Sequence, residues 1–512
     1  MVHTLNRYFA RDYTWQHLTV LFIAAFLVRA LTFGFYVQHE ERYKQADTND
    51  YHFCAVGLKA GTGMCRVDTL QPIFWRTPGY PLYLSWFYSW FNIKTSDFSA
   101  NSAAQKASIW MQIFLCSIIP LLLFFLVRSL TNSFIIAWIS AWLSVIHIGY
   151  VLATCYILSD ALAQIFFIGF LYFFYRSFIL WFESKKKEPS SHAMFISISI
   201  AALLLALYTW IRPNGQFVVI LSVIILLFGH CAWRIKFTKI LLFTLIFFGG
   251  ISGWYIRNYQ TTGHWFFCPM SGPYLQAFCA PKIIRRISQQ PLDHCMRYLM
   301  RFVIAQTKEE TERLAREAPH LKVSKELICG NVARPWIIKH PWYFACDWTK
   351  EILKTTFDLY SSQLVAFANK THTYDPLEEF LTEKIMLCLF NQPMPLLMRI
   401  LCWLEFLFTL LLWIGLLCGM WLFLIKPLTI PHNKKTNETI KNQALWLKTG
   451  LLIGGMIMMT GGFGYARLRL PAEPLLIMLS LTFWYYLYIQ WYNNTQKESA
   501  RKYYEKPLCT MA

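Results

Sequence analysis

The chain has 512 residues, of which 56% are hydrophobic, 18% aromatic and only 15% charged. Soluble domains run near roughly 45–50% apolar and about 25% charged, so this composition excludes an ordinary soluble fold. The net charge of +20 would suit nucleic acid, but the basic residues are dispersed between apolar runs, where a membrane protein places them, and that excludes a nucleic-acid surface.

A membrane-spanning helix needs about 20 mostly apolar residues, because the hydrocarbon core is about 30 Å thick. Within lipid every backbone polar group must be satisfied inside its own segment, so the spans are helices. Ten such runs occur, at 18–38, 107–127, 134–154, 159–182, 193–211, 216–233, 240–256, 398–425, 447–464 and 472–491. The expected fold is an all-α polytopic membrane protein with about ten transmembrane helices. Arg7 and Arg11 precede the first run, which is too long for a signal-peptide core and lacks a small-x-small cleavage site after it; it reads as a retained signal anchor. Further basic residues follow at Arg128, Lys185 to Lys187, Arg234, Lys236, Lys239, Lys426, Lys434, Lys435, Lys441, Lys497, Arg501, Lys502 and Lys506. With ten spans and both termini cytoplasmic, all of these fall on one side, as the positive-inside rule requires.

This topology leaves two long outer segments, 39–106 and 257–397. The first carries Tyr51, Trp75, Tyr80, Tyr83, Trp86, Phe87, Tyr88, Trp90 and Phe91. Its stretch 81–92 is too short to span and suits a helix lying in the membrane interface. In the second, 306–328 reads as an exposed charged helix and 341–368 as another interfacial helix. The domain expectation is an N-terminal membrane module at 1–256 whose first outer loop is catalytic. A small helical outer domain at 257–397 follows, then C-terminal membrane helices with a cytoplasmic tail at 398–512. The fourteen cysteines contain no C-x-x-C pair, so metal-ligand spacing is absent. Scattered free thiols and outer-face disulfides are both open readings. No internal repeat is evident, in contrast to many secondary transporters.

Ionisable groups close to a bilayer are costly, which makes them functional candidates. Four clusters stand at outer ends of spans. Asp47 and Asp50, next to Tyr51, could act as a base, as metal ligands or as plain loop charges. Arg76 lies in Trp75-Arg76-Thr77-Pro78-Gly79-Tyr80-Pro81, a rigid bend that could present a guanidinium fork to phosphate or let it snorkel to headgroups. Asp160, after Leu158 and Ser159, could cap the following helix. Arg212, Arg257, Arg467 and Arg469 break the positive-inside rule, and Glu473 accompanies the last pair. Outward arginines beside acids suit an anionic lipid headgroup.

The order of these signals resembles the polyprenyl-phosphate-dependent membrane glycosyltransferases of the GT-C class, the protein O-mannosyltransferase and aminoarabinose-transferase group in particular. The resemblance covers about 18 to 491. It rests on Asp47 and Tyr51, then Arg76 to Pro81, Asp160, and Arg212-Pro213-x-Gly215. Gly253, Trp254, Arg257 and Asn258 follow, then Arg467, Leu468, Arg469, Pro471 and Pro474. Gly253 stands where the family has proline, and Leu468 where it has an aromatic. The resemblance implies an inverting transfer from a polyprenyl-phosphate sugar donor to a hydroxyl acceptor on protein, lipid A or glycan. Asp47 would be the base, with Asp50 its rival, and Asp160 would hold the acceptor or orient a cation. Arg76 and Arg257 would stabilise the leaving phosphate, with Arg467 and Arg469 behind them and Arg212 and Tyr51 lining the substrate site. A divalent metal shared by Asp47 and Asp160 is possible under this resemblance, and no metal ligand is assigned. No nucleotide-binding motif such as G-x-x-x-x-G-K-[ST] is present. The expected location is a bacterial inner membrane, with the site facing the periplasm. The alternatives are a flippase or transporter for a lipid-linked sugar, a glycan ligase and a non-catalytic scaffold.

Overall fold

The structure is a computed structural model that describes residues 14–45, 47–66, 69–93, 102–184, 191–228, 232–361, 396–425, 437–459 and 465–504. Several sequence assignments lie outside these residues: Arg7, Arg11, Lys185 to Lys187, Lys426, Lys434, Lys435 and Lys506, the segment 362–395, and the end of the 447–464 run. The described residues are mostly helical, with no strand and a single isolated bridge between Cys65 and Pro72.

In chain order, α1 (Thr14–Thr32) runs on through a π-turn at Phe33–Val37. The next three helices are α2 (Glu40–Tyr43), α3 (Thr48–Lys59) and α4 (Gly79–Trp90). Then come α5 (Ser102–Cys116), α6 (Ile119–Thr131), α7 (Phe134–Ile146), α8 (Ile148–Cys155) and α9 (Ser159–Ser184). After these stand α10 (Ser191–Ile211), α11 (Gly215–Leu227) and α12 (Trp233–Thr262). A separate run holds α13 (Ser271–Tyr274), a π-turn at Leu275–Cys279, α14 (Ala280–Ser288), α15 (Leu292–Glu317), α16 (Lys325–Lys339) and α17 (Pro341–Phe357). The chain ends with α18 (Leu396–Met420), α19 (Asn437–Met459), α20 (Ala466–Arg469) and α21 (Glu473–Tyr504).

Among the described residues six helices are long and apolar enough to cross a membrane: Trp15–Phe35, Ala103–Thr131, Ser159–Ile179, His192–Ile211, Trp233–Thr262 and Arg399–Ile425. They make this an integral membrane protein. Among the described residues fewer than the expected ten or so meet that length and composition, for identifiable reasons. The 134–154 run is two helices bent by 46°, because His147 adopts an extended conformation and its ring caps α8 at the Tyr150 amide. Among the described residues of the 216–233 run, the helix α11 has 13 residues. The apolar part of α19, Gln443–Met459, is also shorter than a span. In α21, Trp484, Tyr485, Tyr486, Tyr488, Trp491 and Tyr492 dilute the apolar character, since these rings are amphipathic.

One large core unites the membrane helices. α9 lies along α10, α10 along α12, and α18 along α21. Inside span one, Arg29 is fully buried; its Nη1 and Nη2 donate to Ala25 O (3.0 Å) and Ser144 O (3.5 Å), while its Nε makes no hydrogen bond. A second, smaller core gathers Ala280, Ile284, Cys295, Leu299, Val303, Ile328, Cys329, Val332 and Ala333 from α14, α15 and α16. The charged stretch 306–328 is broken there, with α15 ending at Glu317 and α16 starting at Lys325. α4 is two-faced: Tyr80, Leu84, Phe87 and Tyr88 are buried, while Leu82, Trp86 and Trp90 are exposed.

Candidate active site

Asp47 stands at the N-terminus of α3, yet its side chain makes no capping bond. Thr48 organises the turn instead. Its hydroxyl accepts from the Gln45 amide (2.8 Å) and donates to Ile157 O (3.3 Å). The Ile157 amide in turn donates to Tyr43 O (3.2 Å). The loop carrying Asp47 is thereby docked on the turn between α8 and α9, and the first residues of α9 include Asp160. The Tyr51 hydroxyl lies 2.9 Å from Ser159 Oγ across the same seam.

Arg76 arrives from the Trp75–Pro81 bend. The Thr77 hydroxyl donates to Ile211 O (2.7 Å), fixing the bend on the end of α10. A Cβ at Gly79 would sit 2.7 Å from Trp210 O, so the contact needs glycine. The same junction delivers Arg212, the residue that follows α10. Sequence-distant arginines are therefore placed by one backbone contact.

Arg76 Nη2 donates to Asp47 Oδ1 (2.8 Å) and Asp50 Oδ2 (2.7 Å), and its Nε donates to Asp50 Oδ2 (3.1 Å). Trp75 Nε1 also donates to Asp50 Oδ2 (2.9 Å). Arg76 lies over the Tyr51 ring at 5.0 Å. Arg467, on α20, donates from Nη2 to Asp47 Oδ2 (2.9 Å) and from Nε to Asp160 Oδ2 (2.9 Å). Arg212 Nη1 pairs with Asp160 Oδ1. Three carboxylates and three guanidiniums thus form one continuous network. Asp160 is fully buried, whereas the Asp47 and Arg467 side chains keep about a quarter of their surface accessible (27% and 25%). Asp50 and Asp160 sit in first turns of helices, where the helix dipole favours negative charge.

Burial pushes the Asp47 carboxyl up, but the Arg467 and Arg76 guanidiniums outweigh it and hold it well below the usual carboxylate range. Burial works against the Arg467 charge too, and Asp160 and Asp47 overcome it, so its pKa is raised. Asp47 is therefore ionised and poised, with both oxygens engaged by arginines that an anionic group could capture.

The structure brings Asp47, Asp50, Tyr51, Arg76, Asp160, Arg212 and Arg467 together and leaves two sequence candidates apart. Arg257 stacks on Trp254 (4.7 Å) and Phe74 (5.3 Å) and donates to Asn258 Oδ1 (2.8 Å). Phe74 is two residues from Arg76, so Arg257 borders the network without bonding its carboxylates. Arg469 points the other way, into a buried set. It pairs with Glu473 Oε1 (2.6 Å), donates to Thr355 O (3.0 Å), Thr356 O (2.6 Å) and Asp358 O (3.2 Å), and packs on Tyr360 (5.2 Å).

A small cleft opens beside the network, lined by Gly149, Leu152, Tyr156, Asp160, Tyr360 and Arg467. Sequence reasoning missed Tyr360. Its amide is held by Glu405 Oε1 (2.6 Å) and its hydroxyl donates to Glu473 Oε1 (3.2 Å). Gly149 was missed as well; a Cβ there would lie 2.7 Å from the Tyr360 ring. No local signal marks either residue, because each is required only by the other, 211 positions away. Among the described residues no group of three or more His, Cys, Asp or Glu side chains is placed to hold a metal ion. Asp47 and Asp160 share the Arg467 guanidinium between them.

No family model matches the sequence, and no curated protein sequence matches it. Solved structures do. The archaeal oligosaccharyltransferase AglB from Archaeoglobus fulgidus, in complex with an inhibitory peptide and a dolichol-phosphate, superposes with a TM-score of 0.50 at 12% identity, over 95% of this chain and 52% of that one. A second structure of an Archaeoglobus fulgidus oligosaccharyltransferase, tethered through a disulfide to an acceptor peptide containing the NVT sequon, gives 0.49 at 13% identity, over 94% and 50%. The chain thus spans about half the length of the structures it matches. At such identity the likeness is one of fold alone, shared with that archaeal oligosaccharyltransferase.

Proposed function

We propose that the protein is an inverting membrane glycosyltransferase that moves a sugar from a polyprenyl-phosphate carrier to a hydroxyl acceptor. The observation that carries this reading is the Asp47 carboxylate held between Arg76 (2.8 Å) and Arg467 (2.9 Å), the latter also lining a cleft. A carboxylate beside paired guanidiniums supplies what the reaction needs: a base for the acceptor and fixed positive charge for the departing phosphate. The fold likeness to an enzyme solved with a dolichol-phosphate supports a lipid phosphate as the anionic group.

The donor phosphate captures Arg76 and Arg467 and so frees one oxygen of Asp47. The acceptor O–H gives its proton to Asp47 as its oxygen attacks the anomeric carbon, and the C1–O bond to phosphate breaks on the opposite face. Polyprenyl phosphate leaves with the bonding electron pair, and the anomeric centre inverts. Asp50 and Trp75 keep Arg76 aimed, while Asp160 and Arg212 keep Arg467 aimed. Tyr51 packs on Arg76 and closes the floor, and Arg257 meets the phosphate from the rim. In this reading 1–256 and 398–512 form the membrane body and 257–397 an outer domain. In this reading the site faces the outer side of a bacterial inner membrane, an orientation that the basic loops support.

The test is turnover by the purified full-length protein, given labelled polyprenyl-phosphate sugars and a panel of peptide, lipid A and glycan acceptors. Release of polyprenyl phosphate with label on an acceptor, lost in Asp47→Asn, is the expected result. Movement of intact lipid-linked sugar across a vesicle bilayer without cleavage would replace this reading with a flippase.

A further inference from the structure

α17 ends at Phe357, packed beside α20. A helix leaves its last carbonyls without partners of its own. Here the Arg469 guanidinium takes those of Thr355 and Thr356, together with Asp358 O. Asp358 then turns the chain into an extended backbone, with φ −61° and ψ 148°. The next residues are clamped from α18. Its buried Glu405 accepts the Tyr360 amide at Oε1 (2.6 Å) and the Ser361 amide at Oε2 (2.9 Å). The backbone that carries the Asp358 side chain is therefore held on both sides.

α20 begins at Ala466, after Tyr465, whose backbone is extended (φ −109°, ψ 139°) and whose side chain makes no capping bond. The first amides of a helix need an acceptor, commonly a Ser, Thr, Asp or Asn side chain at the cap itself. Tyrosine has no short side-chain oxygen to offer. Asp358 supplies one from 108 positions away, its Oδ2 accepting the Ala466 amide at 2.9 Å. Asp358 and Ala466 are both buried, 2% and 3% exposed, and a carboxylate bond to a backbone amide is strengthened where water is excluded. The residue after Ala466 is Arg467, which spans Asp47 and Asp160.

We propose that Asp358 is a positioning residue for Arg467. A planar guanidinium that bonds two carboxylates at once tolerates little rotation, because hydrogen bonds weaken steeply off their axis. The bond to the neighbouring amide sets where α20 starts, and so where the Arg467 fork stands. Arg469 works through the carbonyls of the same turn and through Glu473, and serves the frame. That Arg467 is held ready for a phosphate rests on the glycosyl-transfer reading; that Asp358 holds it does not.

The experiment follows Arg467 itself, by peptide mass spectrometry of its modification with phenylglyoxal in the full-length protein in detergent. Arg257, held on α12 by Trp254 and Asn258, is the internal reference. In Asp358→Ala, Arg467 should be modified several-fold faster with Arg257 unchanged. Asp358→Asn keeps an acceptor oxygen for the amide and should stay close to wild type. Asp358→Ser, too short to hold the same bond, should behave as Asp358→Ala does and replaces it if the alanine variant does not fold. Turnover should follow, with a donor KM raised about tenfold in Asp358→Ala and no further loss when Asp358→Ala is added to Arg467→Ala. Unchanged modification of Arg467, an equal rise at Arg257, Asp358→Asn as reactive as Asp358→Ala, or losses that add in the double variant would overturn the assignment. Faster modification of Arg467 alone, with no turnover on any donor, would leave the role of Asp358 standing and remove the transfer reading.

Discussion

Arg467 Nη2 lies 2.9 Å from Asp47 Oδ2, although 420 positions separate the two residues. The same guanidinium reaches Asp160 Oδ2 through Nε at 2.9 Å. One side chain therefore joins the loop after α1, the start of α9 and the segment before α21. A planar fork with fixed donors can bridge two carboxylates in this way; an ammonium cannot hold the same geometry.

Arg467→Lys should therefore keep the charge and lose the function. We expect turnover to fall about tenfold to a hundredfold with a raised KM for donor, and Arg467→Ala to fall further. Steady-state kinetics on solubilised protein checks this. A lysine variant with wild-type kinetics would mean that charge alone matters at this position.

Asp47→Asn should lower kcat by about a hundredfold or more, the usual scale for losing a general base. Asp50→Asn should do less, because Asp50 acts through Arg76 and Trp75. Equal losses in both, or a larger loss in Asp50→Asn, would shift the base to Asp50.

The arginines also dictate a pH response. A base whose pKa is depressed stays ionised as pH falls, so kcat/KM of the wild type should show no acid limb from Asp47 above about pH 4. The same depression stabilises the folded protein above the unfolded carboxylate pKa of about 4, and that contribution is lost as pH falls further. Removing one cation in Arg467→Met should bring an acid limb up into the measurable range. A wild-type limb already near neutrality would contradict this assignment of the base.

Arg469 should behave differently from Arg467. Its bonds go to Glu473 and to the carbonyls of Thr355, Thr356 and Asp358. Arg469→Met removes the guanidinium that balances the buried Glu473, leaving it only the Tyr360 hydroxyl and the His147 ring, and should cost about 3–5 kcal/mol of stability. Thermal melting in detergent should show a large drop, and any remaining folded enzyme should keep its KM for donor.

Gly79 and Gly149 test the scaffold. Adding a methyl group at Gly79 meets Trp210 O at 2.7 Å, and at Gly149 it meets the Tyr360 ring at 2.7 Å. Each alanine variant should cost about 1–3 kcal/mol. Gly79→Ala should in addition raise the donor KM, since the same bend carries Arg76. A fully active, fully stable Gly79→Ala would show that the bend tolerates displacement.

Much of this protein was legible in the chain itself. Apolar length and composition dictated membrane helices, because lipid offers the backbone no partner outside its own segment. Uncompensated charges near span ends named Asp47, Asp50, Asp160, Arg76, Arg212 and Arg467, since burying such groups is too costly to be incidental. What the chain could not say was which of the arginines share carboxylates and which brace the frame. Arg467 and Arg469 are two residues apart in the same motif, yet one joins Asp47 and the other turns to Glu473. That division depends on α17 and α20 packing together, as the bend at His147 depends on an extended backbone that hydropathy does not register. Local sequence carries the energy of each group's solvation; only the folded chain decides which partner, hundreds of residues away, relieves it.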